Sequence, residues 1–135
     1  MTGLPWWSAY VGRSFGTGPD DVNCWSLIRA VFRDVRGIEL PEFGDVSPRD
    51  LYRVARKMDQ ETIPTIWRAV EPGDVREFDV VRMRSGRGGL PVVHVGIMTG
   101  PSLMLHAEEA TGVVTIPIAD GRIRPRVVDF RRYRP

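Results

Sequence analysis

The sequence predicts an α+β fold, with N-terminal helices packed on a meandering antiparallel β-sheet. Two observations carry this. Apolar residues recur at helical spacing from position 24 and again from 51, whereas from 78 onward they fall in short runs between turn residues. The helical segments precede the strand segments instead of alternating with them, which argues against a sheet built from βαβ units. The 135 residues show no internal repeat, low-complexity tract or linker, so the expectation is a single domain over 1–135 with a sizeable core.

Taken in order, 5–11 reads as a short helix with Pro5 in its first turn, and Trp6 and Trp7 adjacent on it. One indole packs and the other lies half exposed, or serves as an anchor for a partner. Residues 12–21 form a loop rich in Gly, Pro and Asp. From Cys24 the residues Leu27, Ile28, Val31 and Val35 line one helix face, flanked by Trp25 and Phe32, and Gly37 is a natural stop. Ser47, Pro48 and Asp50 open a second helix with an inner face of Leu51, Val54, Ala55 and Met58. Strands are expected at 78–83, 92–98, 103–107, 113–118 and 123–130, separated by Gly-rich or Pro-containing turns.

Hydrophobic residues at 42% and charged residues at 27% are ordinary for a globular domain. No run approaches the roughly 20 apolar residues that span a bilayer, so no membrane span is expected. The first ten residues have neither a basic segment nor a long apolar one, so no secretory signal is visible. One cysteine cannot form an internal disulfide. Net charge is only +2, but Lys57 is the sole lysine, and Arg122, Arg124, Arg126, Arg131, Arg132 and Arg134 crowd the C-terminus. Arg122, Arg124 and Arg126 share parity on the expected last strand and have no interleaved aromatics. They read as a solvated face, not a nucleic-acid surface.

The chemistry centres on Cys24. A thiol attacks as thiolate, and an ordinary cysteine with a pKa of about 8.5 is mostly protonated at neutral pH. A helix N-terminus and a nearby imidazole both favour the anion. Cys24 stands at the helix start behind Asp20, Asp21 and Asn23, and the only two histidines, His94 and His106, fall on consecutive strands. An antiparallel register facing His94 with His106 sets both on one side of the sheet, whereas a one-residue slip separates them. One imidazole then serves the thiol and the other fixes its tautomer. Gly96 leaves room beside them. Zinc is the rival chemistry for Cys and two His, with Glu108 or Glu109 as a further ligand. However, no HExxH or CxxC presents two ligands at once, so neither metal nor cofactor is expected.

At these residues the chain resembles the NlpC/P60 family of cell-wall cysteine peptidases. The resemblance runs from Tyr10-Val-Gly-Arg-Ser-Phe-Gly-Thr-Gly to Asn23-Cys24-Trp25-Ser26-Leu27-Ile28. It continues through Gly73-Asp74, Phe78-Asp79-Val80-Val81, His94-Val95-Gly96-Ile97-Met98 and Leu105-His106-Ala107. It implies a papain-like fold with Cys24 as nucleophile, His94 as general base and His106 as the orienting residue. Tyr10, Asn23 and Trp25 become the candidates for substrate or oxyanion binding. The implied substrate is an amide bond in peptidoglycan stem peptides. The Cys-Trp helix start and the Glu-Glu-Ala-Thr-Gly-Val stretch after His106 look most like the versions in phage tail-tip proteins. That implies neighbouring tail-tip or hub proteins as partners and a place in the virion at the tail tip or baseplate. The sequence departs from the family in three places. Asn23 replaces an aspartate, Ser26 a glycine and Phe15 a tyrosine, so a weak or inactive structural tail component is the alternative.

Overall fold

The computed structural model describes residues 3–40, 67–89 and 92–134. Within them one helix, α1 (Cys24–Arg36), packs on a six-stranded antiparallel sheet. The strands are β1 (Trp67–Val70), β2 (Val80–Arg84), β3 (Val92–Met98), β4 (Leu103–Glu108), β5 (Gly112–Pro117) and β6 (Val127–Tyr133). Their spatial order is β1-β6-β2-β3-β4-β5. The expected meander therefore holds from β2 to β5. It fails for β6, which returns to lie between β1 and β2. The helix expected from Ser47 lies outside the described residues.

Local sequence accounts for the limits of α1. The Asn23 side chain accepts from the Ser26 amide at 2.9 Å, and the Ser26 hydroxyl accepts from the Asn23 amide at 2.9 Å, a reciprocal capping box. Gly37 ends the helix in the left-handed region at φ 66°. Its amide donates to the Arg33 carbonyl and that of Ile38 to Phe32, satisfying two orphaned carbonyls. Leu27, Ile28 and Val31 are buried as the apolar spacing predicts. Val35 is not: it is 39% exposed, and Trp25, Ala30 and Phe32 are buried instead. The buried stripe has turned toward Trp67 and Tyr133, whose rings meet Phe32 edge to face.

Strand alternation divides the sheet into two faces. Val80, Val95, Ile97, Leu105 and Ala107 pack with α1, while Val81, Met83, Met98, Met104 and Phe130 form a second cluster. The N-terminal segment is a 3-10 helix, Trp6–Ala9, with Pro5 as its cap instead of in its first turn. Both indoles are half-buried. Trp6 stacks on Phe78 and donates to Glu77 at 2.8 Å, and Trp7 meets Trp6 edge to face. Phe78 has φ 73°, a turn conformation, which is why β2 begins at Val80 and not at 78.

The last expected strand is also corrected. Arg124–Arg126 form a 3-10 turn around Pro125, and β6 starts at Val127 and extends to Tyr133. Arg122 is in the preceding turn, so the three arginines do not share a strand face. Proline cannot donate to a ladder, and its place within 123–130 is the physical reason.

Asp79, 1% exposed, ties the sheet to its first loop. It accepts from Arg132 at 2.8 Å through each oxygen and from the Arg76 amide at 2.9 Å. Asparagine in its place removes the charge opposite Arg132 and turns one of the two acceptor oxygens into a donor, so one of the three bonds is lost and the ion pair with it. Asp79→Asn is expected to lower unfolding free energy by about 2–3 kcal/mol. The check is a lower urea midpoint with unchanged slope.

Candidate active site

The two histidines come together, but not in the expected register. β3 and β4 pair through Ile97–Leu105 and Met98–Met104, a frame displaced by two residues from one that faces His94 with His106. A two-residue displacement preserves parity, so both rings still lie on one face, diagonal instead of opposed. His94 Nε2 lies 2.9 Å from His106 Nδ1, and the rings meet at 73°. Gly96 is what permits this approach. A Cβ there would sit 3.2 Å from the His106 Cβ and 2.5 Å from the Met104 sulfur.

Cys24 arrives from the helix layer, whereas the histidines share the parity of Met98 and Met104 on the other face. Cys24 and His94 reach one cleft, and His106 stands behind His94 outside its lining. Cys24, His94, Phe15, Arg87, Glu108 and Arg126 all line one cleft of about 320 Å³. The backbone groups of Val95, Trp25 and Cys24 itself act on the sulfur in the direction that favours the thiolate. The Ser26 amide, by contrast, is taken by the Asn23 side chain as part of the capping box.

Burial outweighs these backbone groups. Cys24 is 0% exposed, and desolvation pushes its thiol up to about 12 despite them. Burial first, then the neighbouring His106 and Arg126, hold the His94 imidazole down to about 3. His106 is lowered as well, mainly by burial and secondarily by Arg126, with Glu108 acting in the opposite sense. No hydrogen bond or ion pair joins Cys24 to His94 among the described residues. The expected thiolate–imidazolium pair is thus not the resting form. At neutral pH the free protein carries a thiol and a neutral imidazole. It is expected to show no thiolate absorbance in the ultraviolet at neutral pH and to react with iodoacetamide more slowly than a free thiol of pKa about 8.5. Fast alkylation below neutral pH would contradict this.

The remaining candidates have other partners. The Tyr10 hydroxyl is buried against α1, donating to Asp34 at 2.9 Å, and burial with that acceptor raises it to about 12. It is not among the residues lining the cleft. The Asn23 side chain is the helix cap. The Trp25 indole packs edge to face on Trp67, so what Trp25 offers the site is its backbone. Phe15 does line the cleft.

Glu108, expected from the sequence only as a ligand in the rival zinc reading, and Arg126, expected on a solvated face, both stand at the site. The Glu108 Oε1 is 3.8 Å from His94 Nε2, 3.9 Å from His106 Nδ1 and 2.7 Å from Arg126 Nη1. Arg126 is anchored in turn by donating from Nε to the Arg84 carbonyl at 3.0 Å. The ligand atoms of His94, His106 and Glu108 lie within 4.8 Å of one another, as a metal set would. A cation there must displace Arg126 from Glu108 and break the His94–His106 hydrogen bond.

The sequence profile of the NlpC/P60 family matches residues 12–132. No curated protein matches the sequence. Among solved structures, an NlpC/P60 family protein from Bacillus cereus ATCC 10987 is similar at 20% identity and a TM-score of 0.65, over 95% of this chain and 38% of that one. A protein described as similar to lipoprotein, NLP/P60 family, from Staphylococcus aureus subsp. aureus Mu50 is similar at 19% identity and a TM-score of 0.62, over 94% and 38%. At this identity the likeness is one of fold, and it accords with the expected papain-like α+β architecture. This chain spans 38% of the length of either protein.

Proposed function

This chain belongs to the NlpC/P60 family, and from that membership we propose that it is a cysteine peptidase cutting amide bonds in peptidoglycan stem peptides. The observation that carries the reading is that His94 lines one cleft with a cysteine at a helix N-terminus and is hydrogen-bonded to the buried His106 behind it. In this reading His94 takes the thiol proton as Cys24 attacks the scissile carbonyl. His94 has Nε2 engaged by His106, so Nδ1 is the nitrogen left to accept. The oxyanion is met by the amides at the helix start. His94 then protonates the leaving amine, and water hydrolyses the thioester. The proton transfer conserves net charge inside the cleft, which is why two groups that both resist ionising alone can ionise together.

The finer reading is a hydrolase of a phage tail tip or baseplate, docked on hub proteins and acting at cell entry. It rests on the Cys-Trp helix start and the stretch 108–113 following the strand of His106. The complete burial of Cys24 favours one second reading, an inactive structural component of the tail on the same fold.

Incubation with purified peptidoglycan, followed by mass spectrometry of the muropeptides, tests the main reading. New stem-peptide termini with the wild type and none with Cys24→Ala are expected. Intact muropeptides with both, together with normal infection by Cys24→Ala particles, would establish the structural reading instead.

A further inference from the structure

Glu108 and Arg126 stand against the histidine pair without belonging to the nucleophile–base–orienter set. We infer that Glu108, held in place by Arg126, is a positioning residue that sets how readily the His94–His106 pair takes up the Cys24 proton. This rests on the peptidase reading only in that the proton comes from Cys24.

The geometry distinguishes two things a carboxylate could do here. One proton lies between His94 Nε2 and His106 Nδ1, 2.9 Å apart. On His94 it leaves Nδ1 bare and able to accept from the thiol. On His106 it forces the proton of His94 onto Nδ1, and the base is lost. Glu108 Oε1 is nearly equidistant from the two nitrogens, at 3.8 and 3.9 Å, so its charge does not choose between these tautomers. Both distances are also too long for a hydrogen bond. What remains is attraction for a positive charge anywhere on the pair, which arises only once the Cys24 proton has arrived.

Arg126 bounds the effect. It binds Glu108 Oε1 at 2.7 Å and is itself fixed on the Arg84 carbonyl. Without Arg126, Glu108 would favour the protonated pair more strongly at rest. Paired, it leaves the imidazoles neutral at rest and still favours the charged pair over burial alone. The other ionisable groups facing the cleft are Cys24 from α1, Glu109 after β4 and Arg87 from the loop after β2. β2 itself sets Met83 opposite His94. Burial of both rings supplies the opposing tendency that Glu108 offsets at His106.

The test needs no substrate, so it stays separate from the question of activity. The chain has only two histidines, and ring resonances in a nitrogen-15 NMR titration are assigned by replacing one of them. Glu108→Gln is expected to shift the protonation constant of the pair to lower pH by tenfold or more. Arg126→Gln is expected to shift it to higher pH by a similar factor, into the range where the fold is intact. Glu108→Asp is expected to lie between wild type and Glu108→Gln. Opposite shifts are not a consequence of loosened structure. Unchanged midpoints in both variants, or shifts of the same sign, would overturn the inference. In an active enzyme Glu108→Gln is further expected to lower kcat about tenfold with KM unchanged. A raised KM with kcat intact would place Glu108 in substrate binding instead.

Discussion

Cys24→Ala is expected to abolish stem-peptide hydrolysis, a fall of about 10⁴-fold or more, and to leave the fold intact. The magnitude follows from removing the nucleophile of a covalent mechanism, where residual rate comes only from binding and oxyanion contacts. The fold is expected to survive because the lost atom is one sulfur. The cavity it leaves lies at the end of the helix, where the capping box of Asn23 and Ser26 does not depend on it. Cys24→Ser tests the same point with nearly the same volume. A hydroxyl in that buried position meets the same backbone groups but ionises far less readily, so it too is expected to be inactive. Either variant retaining wild-type hydrolysis would remove Cys24 from the chemistry.

Stability is expected to form a plateau bounded by the two buried groups of the site. The His94 imidazole has an ordinary value of 6.5 and is held down to about 3 in the fold. Below 6.5 the unfolded chain therefore binds a proton that the folded protein refuses, and stability falls as pH falls. His106 is shifted in the same direction and adds to the slope. On the alkaline side the Cys24 thiol is raised from 9.0 to about 12, so above 9.0 the unfolded chain loses a proton that the fold retains, and stability falls again. Each pKa unit is worth about 1.4 kcal/mol, so each limb is of the order of a few kcal/mol. Urea midpoints across pH would trace both limbs. His94→Gln is expected to flatten the acid limb above about pH 5, where carboxylates do not contribute. Cys24→Ala is expected to flatten the alkaline one between about pH 9 and 10, above which Tyr10, raised from 10.0 to about 12, adds its own slope. Limbs unchanged in these variants would show that other groups set the profile.

Much of this site was legible in the sequence because it depends on local signals. Asn23, the apolar spacing after Cys24, and Gly37 mark a helix by rules that operate within a few residues. The even spacing of His94 and His106 across a turn puts them on one face in any register that preserves parity. That is why an incorrect pairing still led to the correct side. The rest depends on the topology. β1 is four residues long and carries no alternation that distinguishes it from loop. Nothing in the run 123–130 says that β6 passes between β1 and β2, and it is this return that brings Arg126 to Glu108. The burial of Cys24 is likewise invisible in the local sequence. A helix N-terminus favours a thiolate by local electrostatics, but the burial of the Cys24 side chain acts more strongly the other way and depends on tertiary structure.

A nucleophilic Cys24 becomes covalently acylated at its sulfur, and mass spectrometry after acid quenching measures this directly. The protein is mixed with a stem peptide, quenched at short times and analysed intact and as proteolytic fragments. An added acyl mass is expected on the fragment carrying Cys24, absent from Cys24→Ala. Cleaved peptide with no adduct at Cys24, together with undiminished cleavage by Cys24→Ala, would contradict it.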